Sequence, residues 1–100
     1  MNTHPMKLVT IVCEAHAKDA VTRLIREVGG HGYTLFPVEG DGSQGLRTAD
    51  IPEFTNLQIE VILKPEAAAQ LLERLGNEHF PRYAMVAFES DVRVLRPGKF

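Results

Sequence analysis

The residues best suited to binding a ligand are concentrated in one polar, glycine-rich stretch, residues 39–54, which reads EGDGSQGLRTADIPEF. Glycines leave backbone N–H groups uncrowded, and successive N–H groups can form a nest that binds an anion. Arg47 adds a permanent charge and a forked set of donors that fits a phosphate. Neutral hydrogen-bonding side chains accompany it at Ser43, Gln44 and Thr48. The stretch therefore predicts an anion site, although a polar hairpin loop whose glycines only permit turns would have the same composition.

Catalytic and metal-binding patterns are absent from the sequence. It contains no Walker phosphate-binding motif, no nucleophile elbow and no His-Glu-x-x-His zinc motif. Four histidines occur without the spacing of metal ligands, and we expect them at the surface or in turns: His4, His16, His31 and His79. The single cysteine, Cys13, can form neither an internal disulfide nor a metal cluster, and we expect it to be buried. The sequence thus predicts a protein that is not an enzyme and holds no metal.

Length and composition narrow the class of protein further. One hundred residues suit a single domain, residues 1–100. Eleven Lys and Arg residues against thirteen Asp and Glu give a net charge of −2, so no basic excess is available to bind nucleic acid. No apolar run approaches the roughly 18 residues of a membrane span, and the first residues are too polar for a signal peptide. A lone cysteine fits a reducing compartment, so we expect the protein in the cytoplasm.

Hydrophobic periodicity predicts six elements in the order βαββαβ. The predicted strands are residues 6–13, 32–38, 55–63 and 83–88, the last extended or followed by 92–95, and the predicted helices are 17–28 and a segment from Pro65 to a stop at Gly76. Each helix has one apolar face, and a single face of a sheet can bury both. Right-handed crossovers then predict an α+β, ferredoxin-like fold with an antiparallel sheet, two helices on one face, and a long loop between strands 2 and 3.

The opposite face of the predicted sheet has no third layer to cover it. Alternation along the strands still leaves that face partly apolar, which predicts that copies of the chain cover it in a homo-oligomer. Pro37 lies in the second strand and has no N–H to donate, so this end of the strand is expected to lie at an edge or to leave the sheet.

Short motifs in a fixed order resemble the PII signal-transduction family. Residues 29–34 (GGHGYT) and 38–44 (VEGDGSQ) are similar to the family's Gly-x-Thr strand start and to the Val-x-Gly-x-Gly-x-Gln entrance of its long T-loop. Residues 59–62 (IEVI) followed by Pro65 resemble its third strand and second helix, and residues 91–96 (DVRVLR) resemble its last strand. The resemblance covers essentially the whole chain and makes the glycine-rich stretch a T-loop-like segment.

The resemblance implies a homotrimer with nucleotides bound in clefts between subunits. By position, the resemblance implies that adenine and ribose are contacted by Gly32, Tyr33 and Thr34, and that the base packs against Ile62. The implied phosphate contacts are Gly40, Gly42, Ser43 and Gln44. Arg93 and Arg96 correspond to basic residues of the family's last strand, and Arg96 is the better candidate for a phosphate contact. Arg47 is added to these candidate nucleotide contacts because of its positive charge. Two residues have two interpretations each. Tyr83 is either a core aromatic or a nucleotide contact from the neighbouring subunit, and Arg82 either binds phosphate or lies in solvent.

The family's phosphate loop is missing from this chain. Where the family carries Gly-Asp-Gly-Lys before its last strands, residues 79–85 read HFPRYAM. Because the missing groups serve a triphosphate, we expect AMP or ADP in place of tightly bound ATP. No tyrosine lies between Gly40 and Thr55, so regulation by uridylylation of a loop tyrosine is not expected.

Two further runs, GSQGLR at residues 42–47 and FPRYA at 80–84, resemble the PII-like proteins of inorganic-carbon uptake. That branch includes the bicarbonate-transporter regulator SbtB and the carboxysome-associated PII protein. It implies that bicarbonate binds as well, with Gln44 and Arg47 as candidate contacts, and that the partner is a bicarbonate transporter or a carboxysome-related protein. The alternative is another ferredoxin-like sensor, an ACT-like domain or a copper-tolerance-like trimer, without nucleotide binding.

Overall fold

The part of the chain that the structure describes folds into four strands and two helices in the predicted order βαββαβ. The computed structural model describes residues 2–40 and 56–100. Its elements are β1 (His4–Glu14), α1 (Lys18–Glu27), β2 (Thr34–Val38), β3 (Asn56–Leu63), α2 (Pro65–Arg74) and β4 (Met85–Val94), with short 3-10 turns at Ala15–Ala17 and Pro97–Lys99 and a π-helical turn at Leu75–His79. All pairings are antiparallel, and the strands lie in the order β2-β3-β1-β4. This is the predicted α+β, ferredoxin-like sheet, with β2 at an edge. Neither helix of the described ranges is long and apolar enough to cross a membrane.

One face of the sheet packs against both helices. Register pairs Ile11 of β1 with Ile59 of β3, so both side chains point to that face. The helical side chains buried against it are Val21, Leu24 and Ile25 of α1, Ala68 and Leu71 of α2, and Leu75. Burial of each large apolar side chain contributes about 1.5–3 kcal/mol, which makes the i, i+3, i+4 spacing of these residues decisive for both helices. Cys13 is buried in the same core, as predicted.

The predicted end of the second helix at Gly76 is wrong. The α-helix ends at Arg74, and the chain continues as the π-helical turn, in which the Phe80 N–H donates to the Leu75 carbonyl at 2.9 Å. Two contacts hold the turn in place. Leu75 is fully buried, and Arg74 Nε donates to the Glu78 carboxylate across the turn at 2.9 Å. Side-chain packing and this ion pair therefore outweigh the tendency of glycine to end a helix.

Two strands begin later than the sequence predicts. β4 starts at Met85, which places Tyr83 in the turn before it. The predicted extension at residues 92–95 belongs mostly to β4, which ends at Val94. β2 starts at Thr34, which places Gly32 ahead of it. Two predicted ligand contacts, Gly32 and Tyr83, thus lie just before a strand and outside the hydrogen-bonded sheet.

The turn after α1 contains a tight backbone approach at Gly30. Gly29 takes the left-handed conformation (φ 98°), and the Gly30 N–H donates to the Ile25 carbonyl at 2.8 Å. A Cβ at Gly30 would lie 2.6 Å from Ile25 Cγ2 and 2.9 Å from its carbonyl oxygen. Because overpacking of this kind is destabilising, Gly30→Ala is expected to lower the free energy of unfolding by about 1–3 kcal/mol, measured by urea denaturation.

Gly76→Ala is the matched control, because a Cβ added at Gly76 meets nothing within 4 Å. Alanine favours a helical turn over glycine, so this variant is expected to unfold at the wild-type urea concentration or slightly above it. Equal unfolding midpoints for the two variants would contradict the tight approach at Gly30.

The face of the sheet opposite the helices is uncovered in a single chain. We call it the open face; its side chains include Leu8, Thr10 and Val12 of β1, Thr34 and Phe36 of β2, Gln58, Glu60 and Ile62 of β3, and Val86 and Phe88 of β4. The exposed fractions are 36% for Phe36, 59% for Val86 and 51% for Phe88. The partly apolar surface that the strand alternation predicts is therefore present, and its size and chemistry suit a contact with another molecule.

Candidate functional site

Predicted ligand contacts come together at the edge strand β2. Register pairs Thr34 with Glu60 across β2 and β3, and because β3 side chains alternate, Ile62 points to the same open face. Gly32 and Tyr33 are exposed and directly precede Thr34 in the chain. The residues that the resemblance implies for adenine and ribose thus surround one patch, with a hydroxyl on one strand and an apolar side chain on the next.

Glu60 also belongs to this patch, although no sequence motif marks it as a ligand contact. Its carboxylate is half-buried, and Oε2 accepts a hydrogen bond from Gln58 Nε2 at 3.0 Å. Beside the Thr34 hydroxyl, the carboxylate can accept a hydrogen bond from an amine or hydroxyl group of a ligand, while the amide fixes its orientation. The sequence shows that polar residues alternate with apolar ones along β3. It does not show which of them lies opposite Thr34, because that depends on how β2 and β3 pair.

The T-loop-like segment leaves and re-enters the sheet at the other end of β2. Val38 pairs with Asn56 at the start of β3, and Asn56 pairs with Glu14 of β1. Gly40 is exposed just after β2. The remaining loop contacts that the sequence predicts, Gly42, Ser43, Gln44 and Arg47, lie outside the described residues. Their assignment to phosphate and bicarbonate stays a prediction.

Tyr83 lies at this same end of the sheet, in the turn between α2 and β4. Cys13 of β1 pairs with the first residue of β4, which brings the turn beside the end of β1. The Tyr83 N–H donates to the His79 carbonyl at 3.0 Å. Its half-buried ring packs at the margin of the core, with centroids 5.5 Å from the His16 ring and 6.2 Å from the His79 ring. Arg82, the residue before it, is exposed.

Glu14 fastens this turn to β1. Its side chain is only 14% exposed, and Oε2 lies 3.2 Å from His16 Nε2. The other oxygen, Oε1, accepts the Ala84 N–H at 3.3 Å. Burying a carboxylate is unfavourable unless it is hydrogen-bonded, so these contacts account for a charge at this depth. His16 lies at the surface, as predicted, with 52% of its side chain exposed, whereas nothing in the sequence pointed to this role for Glu14.

The basic residues of the last strand lie at the opposite end of the sheet from Val38 and Asn56, which flank the T-loop-like segment. Arg93 is near the end of β4 and Arg96 follows it, and a ten-residue strand is about 30 Å long. His31 Nδ1 lies 2.9 Å from the Lys99 carbonyl oxygen, so the tail after Arg96 returns to the turn that precedes Tyr33. Within one chain, Arg96 is therefore far from Val38 and Asn56, the described residues on either side of the T-loop-like segment.

A pocket of about 290 Å³ lies on the helix side of the sheet. It is lined by Val28, Gly29, His31, Leu63, Lys64, Ala67, Gly98 and Phe100. Leu63 points into the helix side, and Ile62 therefore faces away from this pocket. The pocket and the Thr34–Glu60 patch are separate features of the chain.

The thiol of Cys13 is not set up as a nucleophile. Burial, together with the negative charge of Glu14, raises the pKa of this thiol to about 11. Because the thiolate is the reactive form, the group is inert at neutral pH. Within residues 2–40 and 56–100, no three His, Cys, Asp or Glu side chains come together in a way that could hold a metal ion.

Comparison with known families decides the class of protein. The sequence model of the family described as nitrogen regulatory protein P-II matches residues 6–99. The chain belongs to the P-II family. The match spans both helices and nearly all of the sheet, so the resemblance found in the short motifs is confirmed at the level of the family.

Solved structures are similar to this P-II chain over almost its full length. A PII-like signalling protein from Thermus thermophilus is 39% identical, with 100% of this chain and 99% of that chain covered and a TM-score of 0.86. CPII from Thiomonas intermedia, bound to ADP and bicarbonate, is 29% identical, with 99% and 97% covered and a TM-score of 0.88. CPII bound to ADP, AMP and bicarbonate is 28% identical, with 99% and 96% covered and a TM-score of 0.89.

Proposed function

We propose that this P-II protein is a non-enzymatic regulator that binds AMP or ADP, together with bicarbonate, in clefts between the subunits of a homotrimer. The main support for the proposal is that Thr34, Glu60 and Ile62 lie close together on the open face. Gly32 and Tyr33, which directly precede Thr34, are exposed beside them. An apolar surface with a hydroxyl and a carboxylate at its edge suits a purine and its ribose. CPII, which is similar in sequence and fold, was solved with ADP, AMP and bicarbonate.

Two features of the single chain support a site shared between subunits. Phe36, Val86 and Phe88 leave apolar surface uncovered on the open face. In addition, Arg96 lies at the opposite end of the sheet from Val38 and Asn56, where the T-loop-like segment leaves and re-enters, which favours contacts from two subunits to one nucleotide. A neighbouring copy that covers the open face would supply the missing groups and remove the apolar surface from water.

Bicarbonate beside a nucleotide phosphate requires donors that outnumber the negative charges. Gly40, Gly42, Ser43 and Gln44 are proposed to contact the phosphates, with Arg96 from a neighbouring subunit. Gln44 and Arg47 are proposed to contact bicarbonate, because an amide N–H and a guanidinium both donate to a carboxylate-like anion. Tyr83 is proposed as a further nucleotide contact.

Signalling is proposed to act in inorganic-carbon uptake or carboxysome regulation, in the cytoplasm, through a bicarbonate transporter or a carboxysome-related protein. Nucleotide and bicarbonate would change the surface that the protein presents to this partner. A ligand can shift such an equilibrium only by its differential affinity for the two states. Members of the inorganic-carbon branch resemble this chain in the GSQGLR and FPRYA runs, which supports this choice over other P-II roles.

Calorimetric titration tests the proposal. AMP, ADP, ATP and cyclic AMP are each titrated into the purified protein, with bicarbonate or with chloride at matched pH and ionic strength. We expect micromolar affinity for AMP or ADP and tighter binding with bicarbonate. Arg47→Ala is expected to remove the bicarbonate effect and to leave binding in chloride largely intact.

The possible results separate the parts of the proposal. Nucleotide binding that is the same in bicarbonate and chloride would contradict the carbon-specific part and leave a nucleotide sensor. Failure of every adenine nucleotide to bind at millimolar concentration would contradict the nucleotide site. The match to the P-II family over residues 6–99 argues against the alternative of an ACT-like or copper-tolerance-like sensor.

A further inference from the structure

The turn before β4 is fastened to the end of β1 by side chains outside the proposed set of nucleotide contacts. Glu14 accepts the Ala84 N–H at 3.3 Å through one oxygen and lies 3.2 Å from His16 Nε2 through the other. The His16 ring in turn contacts the Tyr83 ring, with the planes tilted by 53°. Tilted ring pairs at this separation are favourable. Glu14 and Ala84 are 70 positions apart in the chain, so the arrangement forms only in the folded protein.

Tyr83 is held by its own turn as well. Its N–H donates to the His79 carbonyl at 3.0 Å, and the His79 ring lies 6.2 Å from the Tyr83 ring at an angle of 34°. Two imidazoles therefore contact one phenol ring, one from the chain after β1 and one from the turn itself. Contacts on this scale restrict the rotamers open to a half-buried tyrosine.

We propose that Glu14 and His16 are positioning residues that hold Tyr83 ready to contact the bound nucleotide. The inference rests on the proposed function and adds two residues to it. A side chain that is already fixed in its bound rotamer loses less conformational freedom when the ligand arrives, and the affinity is correspondingly higher. The location agrees, because Glu14 pairs with Asn56, where the T-loop-like segment re-enters the sheet.

A double-mutant cycle tests whether His16 acts through Tyr83. His16→Ala is expected to weaken ADP binding about three- to tenfold, the effect of freeing one ordered side chain. Tyr83→Ala is expected to weaken it at least as much. In the Tyr83→Ala background His16→Ala has no further effect, because a positioning residue contributes only through its target. Glu14→Gln, which keeps an oxygen for the Ala84 N–H, is expected to fall between His16→Ala and the wild type.

Tyrosine NMR supplies a readout that a loss of stability would not imitate. The chain has only two tyrosines, so ¹³C-tyrosine labelling gives two sets of ring signals, and Tyr33→Phe assigns them. In unliganded His16→Ala, the Tyr83 signals are expected to move and the Tyr33 signals to stay. His4→Ala, at the far end of β1, is the matched control and is expected to change neither the Tyr83 signals nor ADP affinity. Urea denaturation identifies any variant that is not folded.

Two results would overturn the inference. Either His16→Ala binds ADP as tightly as the wild type, or its loss of affinity persists unchanged in the Tyr83→Ala background. A wild-type protein that binds no adenine nucleotide is a different result, because it overturns the proposed function itself before any variant is compared.

Discussion

Replacing Phe88 with aspartate (Phe88→Asp) is expected to convert the proposed homotrimer to monomers and to abolish nucleotide binding with it. Phe88 is 51% exposed on the open face of β4, and Val86 on the same face is 59% exposed. In an assembly that covers this face, the introduced carboxylate would lose its water without gaining a partner, which costs several kcal/mol per ion. The fold of the subunit should survive, because the Phe88 side chain lies outside the core. Light scattering after gel filtration gives the mass in solution, and calorimetry gives the ADP affinity.

Gln70→Asp is the control for added charge. Gln70 is exposed on α2, away from the open face, so the same carboxylate there is expected to leave both mass and affinity unchanged. Urea denaturation of both variants checks that the subunit is folded. If Phe88→Asp kept the wild-type mass, copies of the chain would not meet through the open face. A Phe88→Asp monomer with wild-type ADP affinity would contradict a site shared between subunits.

The sheet and its two helices could be predicted because each element buries one face. Ile59, Val61 and Leu63 alternate with half-buried residues along β3, and the apolar residues of α1 recur at helical spacing. Hydrophobic burial then leaves few ways to stack the layers. The end of the second helix could not be predicted in this way. Gly76 permits a stop, but the burial of Leu75 and the ion pair between Arg74 and Glu27 of α1 depend on the tertiary fold.

Residues of the candidate nucleotide site could be predicted only where a short sequence motif contains them. Thr34 and Ile62 were assigned from the family resemblance, and the register of the sheet places them on one face. Glu60 was missed because about sixteen residues separate the two strands. A connection of that length leaves the register free, unlike a tight hairpin turn. The contact of Glu14 with the turn before β4 was missed for a related reason, since it joins residues 70 positions apart in the sequence.

Glu60→Ala is expected to weaken ADP binding about 10- to 100-fold while the protein stays folded and assembled. Hydrogen bonds to a charged group contribute about 1.5–3 kcal/mol, and the ligand would lose one that Glu60 accepts beside Thr34. The carboxylate should also select the base. At C6 adenine presents an amine where guanine presents a carbonyl, and a carboxylate that faces this position accepts from the first but repels the second. The wild type is therefore expected to prefer ADP to GDP, and Glu60→Ala to narrow that preference, with both affinities measured by calorimetry.

Glu66→Gln removes a carboxylate from the exposed first turn of α2 and serves as the control, with wild-type affinity and preference expected. Glu60→Gln separates charge from shape, because it keeps one oxygen acceptor but adds donors that suit guanine. Compared with the wild type, Glu60→Gln is expected to bind ADP less tightly and GDP more tightly. If Glu60→Ala lost affinity for ADP and GDP by the same factor, the carboxylate would contact the ribose. Unchanged ADP affinity would instead remove the Thr34–Glu60 patch from the nucleotide site altogether. The ratio of the two affinities therefore locates the carboxylate at the base or at the sugar.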